Sequence, residues 1–187
     1  FESVYDYPYL SSSANHIFDI TVGMSNGSQL SQSIVDGASS TQFDKKKNIY
    51  NQMAAVLMGH DGNGDIQRFD QDGNLAAGGT KIDDAVFINF ARLLGKDEIK
   101  KSSFSVSFTT GGTPVPPVGD PATTVTIGDY QASSSYYVNS PAGEYGILYT
   151  SSAAATSDSG VGLLFYQAGV AVLTGALFKG ASGSDGR

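Results

Sequence analysis

Apolar and polar residues alternate over several short stretches of this chain, and a period of two is the mark of strands with one buried face. Between His16 and Met24, the residues Phe18, Ile20, Val22 and Met24 fall on one side and Ile17, Asp19, Thr21 and Gly23 on the other. Phe104, Val106 and Phe108 alternate strictly with Ser103, Ser105 and Ser107, which predicts a half-buried strand. Ala85 to Leu94 is an apolar run carrying Phe87 and Phe90; it reads as a buried strand, although a helix has the same pattern. Further strands are expected at Thr123 to Ile127, Ser135 to Val138 and Tyr145 to Thr150. Leu163 to Tyr166 and Val170 to Leu173 flank Gln167-Ala168-Gly169. They predict two apolar strands around a tight turn, with Val170, Val172 and Leu173 in the core.

One segment has the helical period instead. From Asp44 to Met58, the residues Ile49, Met53, Val56 and Leu57 recur at i, i+4, i+7 and i+8 and make a single apolar stripe. Thr41 or Asp44 can cap its start, and Gly59 stands where a left-handed residue closes a helix. Lys45, Lys46 and Lys47 oppose the dipole at that end, which a later start or a partner would explain. From His60 to Gly79, two Asp/Asn/Gly clusters surround the short run Ile66 to Phe69, and a β-hairpin fits best.

The polar stretch Ser25 to Thr41 and the Gly/Pro segment Gly111 to Pro121 read as loops, and the Ser/Ala/Thr run Ser151 to Ser159 as a flexible connector. The expected fold is mainly β, a sandwich or irregular barrel with one amphipathic α-helix on an apolar face, with α+β as second choice. Residues 1–178 form one β-rich domain in this reading, with an extended tyrosine-rich segment at Phe1 to Leu10. Residues 179–187 have the composition of a flexible tail or linker.

Composition narrows the range of functions. The 187 residues are only 16% charged, against about 25% in ordinary soluble domains. The surface expected from this is polar but weakly charged, and it can enter contacts at small desolvation cost. A formal net charge of −7 with only 11 Lys and Arg argues against a nucleic-acid partner. The clusters Lys45–Lys47 and Lys96–Lys101 read as solvated surface. With no cysteine there is no disulfide, thiolate or Cys-based metal chemistry. The longest apolar stretch, Val161 to Phe178, contains Gln167 and three glycines and falls short of a membrane span of about 20 apolar residues. A start at Phe1 without a basic and then apolar leader fits a fragment or a processed product.

Candidate chemistry is sparse. Asp61-Gly62-Asn63-Gly64-Asp65 resembles the opening of a calcium loop, but Ile66 replaces the glycine at position six and Asp72 the glutamate at position twelve. Asp70, Asp72 and Asn74 repeat the pattern as incompletely. Asp, Asn and Gly are also what tight turns require, and the turn reading is preferred, so no metal and no cofactor is expected. His16 and His60 lack a thiol to activate, and no Gly-x-Ser-x-Gly elbow is present. Asp83-Asp84, Asp97-Glu98 and Glu144 are available to a sugar hydrolase, but adjacent acids on a strand point apart. No catalytic residue is assigned.

Four stretches carry a resemblance: Asn48–Ala54 leading to Phe69–Gly73, Phe87–Leu94 leading into Lys96–Lys101, Asn139–Gly146, and Gly162–Val170. Together they resemble virion structural proteins of T4-like marine tailed phages, especially those infecting cyanobacteria. The resemblance implies a non-enzymatic subunit of the tail, baseplate or head surface, located in the extracellular particle. Its partners would be copies of itself and other virion proteins, with no nucleic acid and no membrane. The contact residues expected from the sequence are Tyr5, Tyr7 and Tyr9, which share one side of an extended segment. Two other classes remain. A receptor- or glycan-binding adhesin or fibre module would engage a host surface receptor; a cell-wall hydrolase would need Glu144 or Asp97 across a cleft from a second acid.

Overall fold

The computed structural model describes residues 2–7, 13–29, 41–75, 78–91, 97–110, 123–155 and 159–178. The fold is mainly β. Strands β1 (Glu2–Asp6), β2 (Asn15–Met24), β3 (Asp84–Phe90), β6 (Tyr137–Ser140), β7 (Gly143–Leu148), β8 (Gly162–Phe165) and β9 (Val170–Thr174) form one sheet, in the order β1-β2-β3-β9-β8-β7-β6. The pairings are antiparallel. Strands β4 (Ser105–Thr110) and β5 (Thr123–Gly128) make a separate two-stranded ribbon, and helix α1 spans Thr41–Leu57.

The sheet is apolar on both faces, so it needs a cover on each. One face packs against α1 and the bridged loops after it. Tyr50, Ala54, Leu57 and Met58 meet Phe69, Phe87, Tyr145, Phe165 and Val172 there. The other face lies under the ribbon, where Phe104, Val106, Phe108, Val125 and Ile127 meet Ile88, Leu164, Ala171 and Leu173. Edge-on contacts seat the ribbon at both ends, Phe90 to Phe104 at 5.7 Å and Phe108 to Phe178 at 5.2 Å. Its outward positions are small and polar, with Ser107 and Thr126 hydrogen-bonded at 2.8 Å. The serine–phenylalanine alternation of β4 is therefore the pattern of a lid with one dry side.

Several expectations hold. Phe18, Ile20 and Val22 share the ribbon-side face with their partners Phe90, Ile88 and Val86. Val170, Val172 and Leu173 are buried, and Gly169, at φ +67°, closes the turn between β8 and β9. Gly59 takes φ +80° and its amide donates to Ala54 O at 3.1 Å, ending α1 as a left-handed cap.

Other expectations need correction. The helix starts at Thr41, not Asp44. Val56, expected in the apolar stripe, is 67% exposed, and Tyr50 takes the core position. A tyrosine can do this because its hydroxyl is satisfied, donating to Ile82 O at 2.7 Å and accepting from Phe69 N at 3.3 Å. Residues 60–81 contain two isolated bridges, His60–Ile66 and Asp70–Lys81, and not a regular hairpin. The strands expected at 135–138 and 145–150 are shifted to 137–140 and 143–148. Ser25 and Ser28, expected in a polar loop, do lie outside helix and strand but are buried and donate to Asp83 and Asp84. Ala155, expected in a flexible connector, belongs to the first core. The segment at 2–6 is extended as expected, and it pairs with β2 of its own chain. Expectations for Gly111 to Pro121 and for the tail at 179–187 lie outside the described residues.

Candidate functional site

A group of charged side chains lies where residues 69–72 run beside 80–82. Local amides hold the two segments together: Gln71 N donates to Thr80 O at 3.0 Å and Ile82 N to Phe69 O at 2.9 Å. Asp70 and Lys81 face one another across the bridge. Asp70 is fully buried, and the Lys81 ammonium donates to its Oδ2. The Asp72 amide donates to Asp70 Oδ1 at 3.4 Å, the Asp72 carboxyl accepts from Asn74, and both carboxyls converge on Gly79, whose lack of a side chain leaves them room. Burial is the main force pushing the Asp70 carboxyl above the usual carboxylate range; Asp72 pushes the same way and Lys81 opposes both.

The floor under this group is aromatic. Tyr137 and Tyr145 stack at 5.2 Å. Tyr137 OH donates to Asp72 O at 3.1 Å and Tyr145 OH to Gly73 O at 2.7 Å, so the acidic turn is pinned to β6 and β7. Burial raises both phenols further, with Asp70 and Asp72 adding to it. Asp70 is thus held inside, while Lys81 and Asp72 are half-buried beside it and Lys81 reaches a surface cleft of about 330 Å³.

A second polar node anchors the ribbon. Asp129, 1% exposed, accepts Ser102 N at 2.7 Å, Phe104 N at 3.0 Å and Tyr166 OH at 3.2 Å. It directly follows β5 and grips the residues just before β4, so it closes the ribbon at its base. Burial pushes its carboxyl up, against the pull of these donors. Lys101, expected to be solvated, instead pairs with Glu144 and lies 4.6 Å from the Tyr136 ring centre. The hydrogen bond to Glu144 raises its ammonium above the usual lysine range.

Of the expected contact residues, Tyr5 and Tyr7 are 49% and 64% exposed, and Tyr9 lies outside the described residues. Tyr5 rests on His16 with ring centres 5.3 Å apart. Asp61 Oδ1 accepts the amides of Asn63 and Asp65, each at 2.9 Å, which is turn chemistry. Among the described residues no three acids or histidines are placed to hold a metal ion. His16 pairs with Asp19 at 2.8 Å, while Asp83 is engaged by Ser25 and Arg68. The sequence reading missed Asp70–Lys81 and Asp129. Asp70 was visible only as a turn acid in an incomplete calcium-loop pattern, and nothing along the chain pairs it with Lys81.

Among the described residues, two larger clefts open at the surface beside a smaller one of about 330 Å³ that Lys81 helps to line. One, about 490 Å³, is apolar and lined by Phe18, Phe90, Ile99, Phe104, Val106 and Tyr166 among others. The other, about 560 Å³, is polar and includes Asn51, His60, Asp65, Ile66 and Arg68. No protein-family model, curated protein or solved structure matches this chain.

Proposed function

We propose that this chain is a non-enzymatic structural subunit that works through protein–protein contacts, in the virion of a tailed phage. The observation that carries the reading is the apolar surface left open at one end of the large sheet. Val4, Phe18 and Ile20 are half-buried, and Tyr5 and Val22 are 49% and 42% exposed. The β1–β2 register puts Val4 beside Phe18, and the Tyr5 ring contact with His16 puts it on the same face. Burying such a strip in an interface gains roughly 25 cal/mol per Å² of apolar area. The phage assignment rests on the sequence resemblance alone.

Light scattering on the purified chain, followed by electron imaging of whatever forms, tests this directly. A symmetric assembly that falls apart in the double variant Tyr5→Ala, Val22→Asp is the expected result. A single chain at every concentration, which also fails to join particles containing the other virion proteins, would overturn it.

A second reading, a receptor- or glycan-binding module, is favoured by the polar cleft beside α1. Asn51, His60, Asp65 and Arg68 offer donors and acceptors next to Ile66, a mixture suited to a sugar ring. Binding on a glycan array that is lost in Asn51→Ala with His60→Ala would move the assignment there.

A further inference from the structure

The Asp70–Lys81 pair is an unusual use of charge. A buried ion pair repays the loss of hydration poorly, and this one lies between Phe69 and Ile82, both fully buried, over the stacked Tyr137 and Tyr145. Removing water from an ammonium–carboxylate pair favours proton transfer to the neutral amine and acid. Those neutral forms are the ones that can condense. We propose that Lys81 and Asp70 join in an intramolecular amide bond made by the chain itself, with Asp72 carrying the proton.

The step balances without any co-reactant. Lys81 passes a proton to Asp70, and the Nζ lone pair this uncovers attacks Asp70 Cγ, forming the C–N bond. The Asp72 carboxylate, which converges with that of Asp70 on Gly79, takes the proton released from nitrogen and returns it to a hydroxyl on Cγ. The C–O bond breaks and water leaves. Nothing is oxidised or reduced. Three features favour it. The cross-strand bridge already holds the amine against the carboxyl, which replaces a bimolecular encounter with a fixed approach. The protonated state that burial favours at Asp70 is the one with a leaving group. The product is neutral, so the burial cost of two charges disappears. The bond would also supply a covalent staple in a chain that has no cysteine.

Intact-mass spectrometry of the denatured full chain decides the matter. The wild type is expected to be lighter than its sequence by one water, with fragmentation giving a branched peptide joined at residues 70 and 81. Asp70→Ala and Lys81→Arg should each have the full sequence mass. Asp70→Asn should reach the same final mass as the wild type, by losing ammonia instead of water. Asp72→Asn, shown by circular dichroism to be folded, should form the bond at least tenfold more slowly. Dehydration at an Asp-Gly step such as Asp61-Gly62 would give the same mass loss, but that ring opens again in mild alkali whereas the amide persists. A wild type that keeps its full mass after days at neutral pH, or a water loss mapped anywhere but 70–81, would overturn the proposal.

Discussion

Single polar atoms decide much of this structure, and Tyr50 is the clearest case. Its hydroxyl serves Ile82 O and Phe69 N inside the first core, and its ring meets Phe69 edge-on at 5.4 Å. Tyr50→Phe keeps the ring and leaves both backbone groups without a partner. That should cost about 1–3 kcal/mol, read as a lower urea midpoint with an unchanged slope. The sequence does not display this role, because at a helical period Tyr50 and Val56 compete for the same stripe and hydropathy ranks valine higher. The same limit hid Asp70, Asp129 and Lys101. Each is a charged residue whose place inside depends on a partner from a distant stretch, and one-dimensional patterns carry no such partners.

Among the elements, strands were legible where one face is dry and the other wet. β2 and β4 show their alternation openly, and the β8–β9 hairpin announces itself through Gly169. Boundaries were lost where the sheet is covered on both sides. β7 is Gly-Glu-Tyr-Gly-Ile-Leu, with no alternation to mark its start. The seating of α1 rests on a further detail, the absence of a side chain at Gly23. A Cβ there would stand 2.9 Å from Tyr50 N and 3.0 Å from the Phe87 ring. Gly23→Ala should therefore push the helix off β2 and destabilise by roughly 1–3 kcal/mol, seen as a lower melting temperature and faster amide exchange along 41–57. Gly62→Ala, with nothing within 4 Å, is the matched control and should melt like the wild type.

At the scale of the whole molecule, acid should help and not harm, within a definite range. Asp129 is held above its unfolded value of 3.8, chiefly by burial, so the folded chain binds that proton more tightly than the unfolded one. By linkage, this gain is fully present below the unfolded value and is lost as pH rises through the folded value. Relief of the net charge of −7 acts in the same direction. Asp19, lowered mainly by its hydrogen bond from Ser3, opposes it from a half-buried site. Urea midpoints measured from pH 7 down to pH 4.5 should rise in the wild type, and the rise should be smaller in Asp129→Asn. An equal rise in both would locate the effect elsewhere. Strand order has a consequence in time as well. β3 is an inner strand of the sheet but takes its second neighbour from β9, near the far end of the described chain. A chain emerging from the ribosome can pair β1, β2 and β3 early, yet the inner edge of β3 stays open until almost everything else has been made. Closing so long a loop makes folding slow. Meanwhile the half-finished sheet presents both greasy faces, so a nascent chain arrested before residue 170 should be a target for chaperones.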